Sequence, residues 1–100
     1  MRTIYHALTW PLWTLLALAV SLTMRPGVRY GGESFRWAMC RAAILERDGH
    51  RCRHCGARAQ YGGTWLEIDH KRRVADGGSY RPWNLRALCK GCHDGRHGRG

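Results

Sequence analysis

The sequence predicts a small α+β domain held together by a metal site. Three observations lead to this fold class. A helical pattern runs from Ser34 to Gly49, two strand-like runs follow at 64–70 and 84–89, and one CxxC pair precedes the first strand while another follows the second. The predicted order is helix, knuckle, strand, loop, strand, knuckle and short helix. A chain of 100 residues has room for one such domain.

The helix and the strands are distinguished by the period of their apolar residues. Ser34 can cap a helix whose apolar positions recur at intervals of three and four, and Gly49 can end it. In TWLEIDH, Leu66 and Ile68 alternate with acidic residues, which is the pattern of a strand with one buried face. The sequence DGG at 76–78 predicts a turn before the second strand.

Composition divides the chain into three predicted segments. Residues 1–24 form a hydrophobic N-terminal segment that is expected to be helical. Residues 25–33 are rich in proline and glycine and are predicted to be a linker. Residues 34–100 contain all the remaining motifs and are predicted to form the functional domain.

Three interpretations of the apolar run at 4–24 remain open. It has the length of a transmembrane helix, since about 20 residues cross a bilayer. It also has features of a signal peptide. In the third interpretation the true start codon lies downstream, at Met24 or Met39, and the apolar run is barely translated. Arginines follow the run, so the positive-inside tendency predicts a cytoplasmic location for the rest of the chain, with or without a membrane anchor.

The charge of the chain predicts a polyanionic partner. There are 17 lysines and arginines against 7 acidic residues, which gives a formal net charge of +10. Only Lys71 and Lys90 are lysines. Arginine suits phosphate because its planar guanidinium can donate two hydrogen bonds to one anion. A nucleic acid is therefore the first expectation and an anionic membrane surface the second.

Four of the five cysteines form the two CxxC pairs, and the fifth, Cys40, falls within the helical pattern. Cys40 is expected to be a small buried residue. Paired CxxC units usually form a four-thiolate zinc site, with two disulfides as the alternative in an oxidising compartment. The predicted ligands of a structural Zn²⁺ are Cys52, Cys55, Cys89 and Cys92.

The last CxxC pair continues into a histidine that points to a second metal ion. Cys92 and His93 are adjacent, and neighbouring side chains of a helix diverge by about 100°, so the two rarely bind one ion. His93 is either a surface residue or a ligand of a separate ion. Asp69 and His70, at the end of the first strand, favour the second interpretation. A site built from Asp69 and His93 would leave coordination positions open for water and a phosphate oxygen.

Taken together, CRHCG, LEIDH, GG, NL and LCKGCH closely resemble the HNH endonucleases in their zinc-stapled form. The resemblance covers about residues 36–97. It implies a ββα-metal fold that cuts phosphodiester bonds in DNA with Mg²⁺ or another divalent cation. Each short motif alone is weak, and the combination in this order is specific.

The resemblance also implies roles for individual residues. His70 matches the general base that activates water, and Asp69 and His93 match ligands of the catalytic ion. Asn84 matches the asparagine that ties the loop between the strands and holds the base in position. His97 lies where some members have a third metal ligand. The three cations that follow His70 are expected to contact backbone phosphates: Lys71, Arg72 and Arg73.

Two rival functions come from other classes. The first is a non-catalytic, zinc-dependent DNA-binding module on the same scaffold. The second is a secreted basic protein whose cysteines form disulfides. The complete set of predicted site residues favours the enzyme.

Overall fold

The computed structural model describes residues 2–58 and 66–95. This part of the chain contains α1 (Arg2–Ser21), α2 (Phe35–Arg47), β1 (Leu66–His70), β2 (Leu85–Cys89) and α3 (Lys90–Asp94). Two short 3₁₀ turns, Val74–Asp76 and Pro82–Asn84, lie in the connection between the strands. The order of helices and strands confirms the predicted α+β class.

Helix α2 begins and ends where the sequence predicts. The Ser34 side chain accepts a hydrogen bond from the backbone N–H of Trp37 at 3.2 Å, which is N-cap geometry. Asp48 is the C-cap, and Gly49 follows with a φ of 66°, in the left-handed region that glycine adopts without strain. The helix thus begins after a serine and ends before a glycine, the residue types that are favoured at helix N-termini and C-termini.

Strands β1 and β2 pair antiparallel, and their register places the two predicted metal sites. Leu66 lies opposite Cys89, and His70 lies opposite Leu85. Cys89 is four residues from Leu85, the partner of His70. At about 3.3 Å per residue, Cys89 therefore lies about 13 Å along the sheet from His70. The cysteines therefore gather at one end of the hairpin, and His70 lies at the other.

The core is formed between α1, α2 and one face of the sheet. Ala17 of α1, Ile44 of α2 and Leu88 of β2 are buried in one cluster. A second cluster contains Cys40 and Tyr80. The Cys40 side chain is 0% exposed, which confirms that it is a buried apolar residue.

A buried ion-pair network joins α2 to the first knuckle and to β2. The Asp48 side chain accepts hydrogen bonds from Arg47 Nε at 2.8 Å, Arg53 Nη1 at 2.7 Å and the Ala87 backbone N–H at 2.9 Å. Arg47 also donates to the Leu85 carbonyl at 2.8 Å. Removing one member of such a buried pair typically costs about 3–5 kcal/mol, because the other charge loses its partner. The network fixes the first CxxC loop against the sheet.

Helix α1 contributes Ala17 to the same core as α2. Within residues 2–58 and 66–95, no helix has both the length and the apolar character needed to cross a bilayer. The predicted membrane association of residues 4–24 is therefore not supported. The division of the chain at residues 24 and 33 stays a prediction.

Candidate functional site

The four CxxC cysteines form one cluster at the end of the hairpin. Their Sγ atoms all lie within 4.8 Å of one another, and those of Cys55 and Cys89 are 3.8 Å apart. Thiolates about 2.3 Å from a tetrahedral zinc ion would be about 3.8 Å from each other. A disulfide would bring two sulfurs to about 2.05 Å, whereas all five cysteines are free thiols. The cluster is compatible with a structural Zn²⁺.

The first CxxC loop turns back on itself through backbone hydrogen bonds. The Gly56 N–H donates to the Cys52 carbonyl at 2.9 Å, and the Cys55 N–H points at the Cys52 sulfur at 3.5 Å. Gly56 has a φ of 80°, which a residue with a Cβ would adopt only with strain. The Arg53 N–H donates to the Ala87 carbonyl at 2.9 Å and docks the loop on β2.

The electrostatics of the cysteine cluster favour the binding of a cation. Burial raises the pKa of the Cys52 thiol, but the backbone N–H groups of Cys55, Cys89 and His54 outweigh burial and lower that pKa to about 6. The pKa of Cys92 is raised, first by its hydrogen bond to the Cys89 side chain and then by burial. Thiols this close repel each other as thiolates. A divalent cation would allow all four to bind as thiolates.

Helix α3 directs adjacent side chains to two different sites. Cys92 belongs to the thiol cluster. His93, the next residue, faces the acidic side of β1, where its ring lies within 4 Å of Glu67 and Asp69 oxygens. The divergence of neighbours on a helix explains the separation. One turn of helix therefore connects the cysteine cluster to a second group of potential ligands.

The distance between Asp69 and His93 leaves room for an ion. Asp69 Oδ1 lies 3.7 Å from His93 Nε2, and Arg86 Nε lies 3.3 Å from Asp69 Oδ2. Two ligands about 2.1 Å from an octahedral ion would be about 3.0 Å apart at a right angle and about 4.2 Å apart across the ion. The observed separation falls between these limits. Asp69 is 1% exposed, so its carboxylate is held in a fixed orientation with Oδ1 toward His93.

A further carboxylate approaches the other nitrogen of the same ring. Glu67 Oε2 lies 3.6 Å from His93 Nδ1, and Asp94 Oδ1 lies 3.9 Å from it. Glu67 and Asp69 are two apart on β1 and so share one face of the strand. His93 is thus surrounded by three carboxylates, with Asp69 at Nε2 and both Glu67 and Asp94 at Nδ1. His97, the predicted third ligand, lies outside the described residues.

The His70 imidazole packs against two aromatic rings that also contact each other. It stacks on Trp37 with ring centroids 5.8 Å apart, and it meets Tyr80 edge to face at 4.7 Å. Burial lowers the pKa of His70 below its ordinary value; the charge of Asp69 opposes this shift and the charge of Arg29 adds to it. The ring is therefore neutral at neutral pH and able to accept a proton.

The Asn84 side chain forms hydrogen bonds with the backbone at two places in the connection that follows β1. Its Oδ1 accepts from the Arg72 N–H at 2.9 Å, and its Nδ2 donates to the Arg72 carbonyl at 3.2 Å and the Ser79 carbonyl at 2.7 Å. The Lys71 N–H donates to the Asn84 carbonyl at 2.8 Å. Because these bonds attach directly after His70, they fix the backbone that carries the imidazole.

The cavity beside His70 brings the predicted site residues together. It has a volume of about 320 Å³, and its walls include His70, Asp69, His93, Arg73 and Arg29. Among the three cations predicted to contact phosphate, only Arg73 lines this cavity. Lys71 and Arg72 are exposed, and the Arg72 side chain is held by the Asp76 carbonyl at 2.8 Å.

Sequence reasoning missed several residues of this site. The alternation in LEIDH places Glu67 on the same face as Asp69 and was sufficient to suggest it. No local pattern connects Arg86 with Asp69, Trp37 with His70, or Arg29 with the cavity. These contacts join parts of the chain that are distant in sequence, so only the folded arrangement reveals them.

The fold and the site together define a small α+β domain with two groups of potential metal ligands. In it, a two-stranded hairpin and a short helix place a cysteine cluster beside a histidine–carboxylate site. Residues 52–99 match the family model described as HNH endonuclease. The match begins at the first cysteine of the cluster and includes β1, β2 and α3, so this part of the chain is similar to an HNH domain. Searches of curated proteins and of solved structures returned no significant match.

Proposed function

We propose that the chain is a metal-dependent endonuclease that hydrolyses DNA phosphodiester bonds, with His70 as the general base. The observation that carries this proposal is the shared cavity. His70, Asp69 and His93 all line a space of about 320 Å³, large enough for water and a phosphate group. In this proposal Cys52, Cys55, Cys89 and Cys92 hold a structural Zn²⁺ that keeps α3 in place.

His70 takes a proton from the attacking water. It is suited to this role because its burial favours the neutral imidazole, and Trp37 and Tyr80 restrict the orientation of its ring. Asn84 holds the backbone directly after His70 and so keeps the imidazole at one position along the cavity. A base that is already oriented loses little entropy when the substrate arrives.

Asp69 and His93 are the residues that would hold the catalytic divalent ion. Their facing atoms are 3.7 Å apart, which fits the ligand separation around such an ion. When bound there, the ion supplies Lewis-acid stabilisation of negative charge on the phosphate and on the departing 3′ oxygen. The carboxylate suits Mg²⁺ and Mn²⁺, and the imidazole shifts the preference toward transition metals.

The positive charge of the chain supports DNA as the substrate. A net charge of +10 on 100 residues favours binding to a polyanion through its phosphates. Such contacts position the duplex and do not read its sequence. We infer that Arg73, which lines the cavity, contacts the strand that is cut, whereas Lys71 and Arg72 contact phosphates farther away.

The zinc-loaded protein is expected to convert supercoiled plasmid to nicked or linear DNA in the presence of Mg²⁺ or Mn²⁺. EDTA at a concentration that leaves the structural zinc bound should stop the reaction. The experiment follows plasmid forms on a gel, with zinc content measured in parallel. Protein that binds the plasmid but leaves it intact with Mg²⁺, Mn²⁺ and Ni²⁺ would instead be the non-catalytic DNA-binding module.

Glu67 is expected to orient the metal-binding histidine. A histidine that binds a metal through one nitrogen usually donates its other N–H to a carboxylate, and Glu67 lies 3.6 Å from His93 Nδ1. Glu67→Ala should weaken Mn²⁺ binding by about 10- to 100-fold. Glu67→Gln should retain most of the affinity, because the amide oxygen still accepts from Nδ1–H. Titration calorimetry on zinc-loaded protein measures both.

Glu46→Ala is the matched control for this prediction. Glu46 also lies beside a histidine, with its Oε2 3.1 Å from His50 Nε2, but the pair is on α2 and the turn after it. Its removal should leave Mn²⁺ affinity unchanged. If Glu67→Gln is as weak as Glu67→Ala, Glu67 binds the ion directly and does not act through His93.

A further inference from the structure

The segment between α1 and α2 is attached to the site although it lies outside residues 52–99. The Gly27 N–H donates to the Gly78 carbonyl at 2.9 Å, and the Tyr30 N–H donates to the Tyr80 hydroxyl at 3.1 Å. The Tyr30 and Tyr80 rings meet edge to face with centroids 5.1 Å apart. These contacts hold residues 27–30 over the connection between the strands.

The contact at Gly78 requires glycine. A Cβ built at Gly78 would lie 1.9 Å from the Arg72 carbonyl oxygen, so no side chain fits there. The chain on both sides of Gly78 is therefore pressed against the backbone that follows His70. Residues 27–30 bind to this compact turn, and their position relative to His70 is fixed by it.

Arg29 is the cation that this attachment brings to the cavity. It lines the same space as His70, Asp69 and His93, and Arg73 lines it as well. Among the described residues, no group accepts a hydrogen bond from the guanidinium of Arg29 or of Arg73. By contrast, the guanidinium of Arg72 is held by Asp76 and that of Arg86 by Asp69. The cavity thus has two guanidinium groups whose donors remain available.

We propose that Arg29, which lines this cavity, binds a non-bridging oxygen of the scissile phosphodiester. This inference rests on the proposed nuclease function. A phosphodiester in this cavity carries a negative charge, and the guanidinium of Arg29 supplies a positive charge that attracts it. Its planar fork also fixes the direction of the phosphate, which a lysine would not do. The nucleotide-binding site therefore includes a residue from outside the matched HNH segment.

The test measures DNA binding and cleavage separately. Binding is measured by fluorescence anisotropy of a labelled duplex with zinc-loaded protein carrying His70→Ala, so that no cleavage occurs. Arg29→Ala in this background should lower the slope of log affinity against log salt concentration by about 0.9, the value for one lost phosphate contact. In the active protein, Arg29→Ala should lower the cleavage rate at saturating DNA by about 10²-fold.

Arg25→Ala is the matched control, because it removes the same charge from the same segment at a position that does not line the cavity. It should leave the saturated cleavage rate within about twofold of the wild type. Arg29→Lys should restore the salt slope but not the rate, since the charge returns without the fork. The proposal is overturned if Arg29→Ala and Arg25→Ala have equal effects on both measurements. A wild-type protein that never cleaves would overturn the nuclease function, while the anisotropy comparison would still test the phosphate contact.

Discussion

Replacing His70 with alanine is expected to slow DNA cleavage by about 10²- to 10⁴-fold, the usual cost of losing a general base. The imidazole packs against Trp37 and Tyr80 and lines the cavity with Asp69 and His93, which are the groups expected to hold the ion. Single-turnover cleavage of a labelled duplex, with protein in excess over DNA, measures the chemical step. Zinc content, Mn²⁺ affinity and DNA affinity should all stay close to those of the wild type.

His54→Ala is the control for this loss. His54 lies in the first CxxC loop and is exposed, so its removal should leave the rate unchanged. His70→Gln provides a second variant that fills more of the space beside the two aromatic rings and cannot act as a base near neutral pH. Cleavage by both His70 variants at the wild-type rate would show that another group activates the water.

Loss of the cysteine cluster is expected to unfold the HNH domain. Structural zinc sites contribute apparent binding free energies of about 10–16 kcal/mol, whereas a small domain is stable by only about 5–15 kcal/mol. Cys89→Ser removes a ligand that also ends β2 and precedes α3, so the strand pairing and His93 should both be lost. Circular dichroism against temperature, with zinc measured by mass spectrometry, should show no cooperative transition and less than one zinc per chain.

The remaining cysteine provides a control within the same chain. Cys40 is buried in the second core cluster and is not part of the thiol group. Cys40→Ala should retain one zinc per chain and a cooperative transition, with a stability loss of about 1 kcal/mol for the lost packing. A Cys89→Ser protein that still melts cooperatively without zinc would mean that the hydrophobic core suffices.

The elements that depend on local signals could be predicted from the sequence. Ser34 and Gly49 bound α2 because capping is decided by a few neighbouring residues. The alternation in LEIDH predicts the buried face of β1, and Leu66 and Ile68 are indeed buried. The adjacency of Cys92 and His93 predicts that they point to different sites, since helix geometry forces neighbours apart.

Contacts between distant parts of the chain could not be predicted in this way. The Asp48 carboxylate joins a helix end to Arg53 and Ala87, yet nothing in RDG distinguishes it from a surface residue. The position of Arg29 depends on the hydrogen bond from the neighbouring Tyr30 to Tyr80, two residues that are fifty positions apart. The sequence predicts that Arg29 is part of a linker, whereas in the structure it lines the cavity. The hydrogen bonds that bring it there have no local sequence signal.

The shortness of α3 restricts which changes in its sequence preserve the arrangement of the two sites. Its five residues carry one member of the cysteine cluster and the histidine that faces Asp69 and Glu67, with no residue between them. A substitution at Cys92 or His93 keeps the spacing of the helix, but an inserted residue would rotate the imidazole by about 100° away from the strand. Insertions and deletions in this turn therefore change the geometry that connects the two groups, even where Cys92 and His93 are both retained.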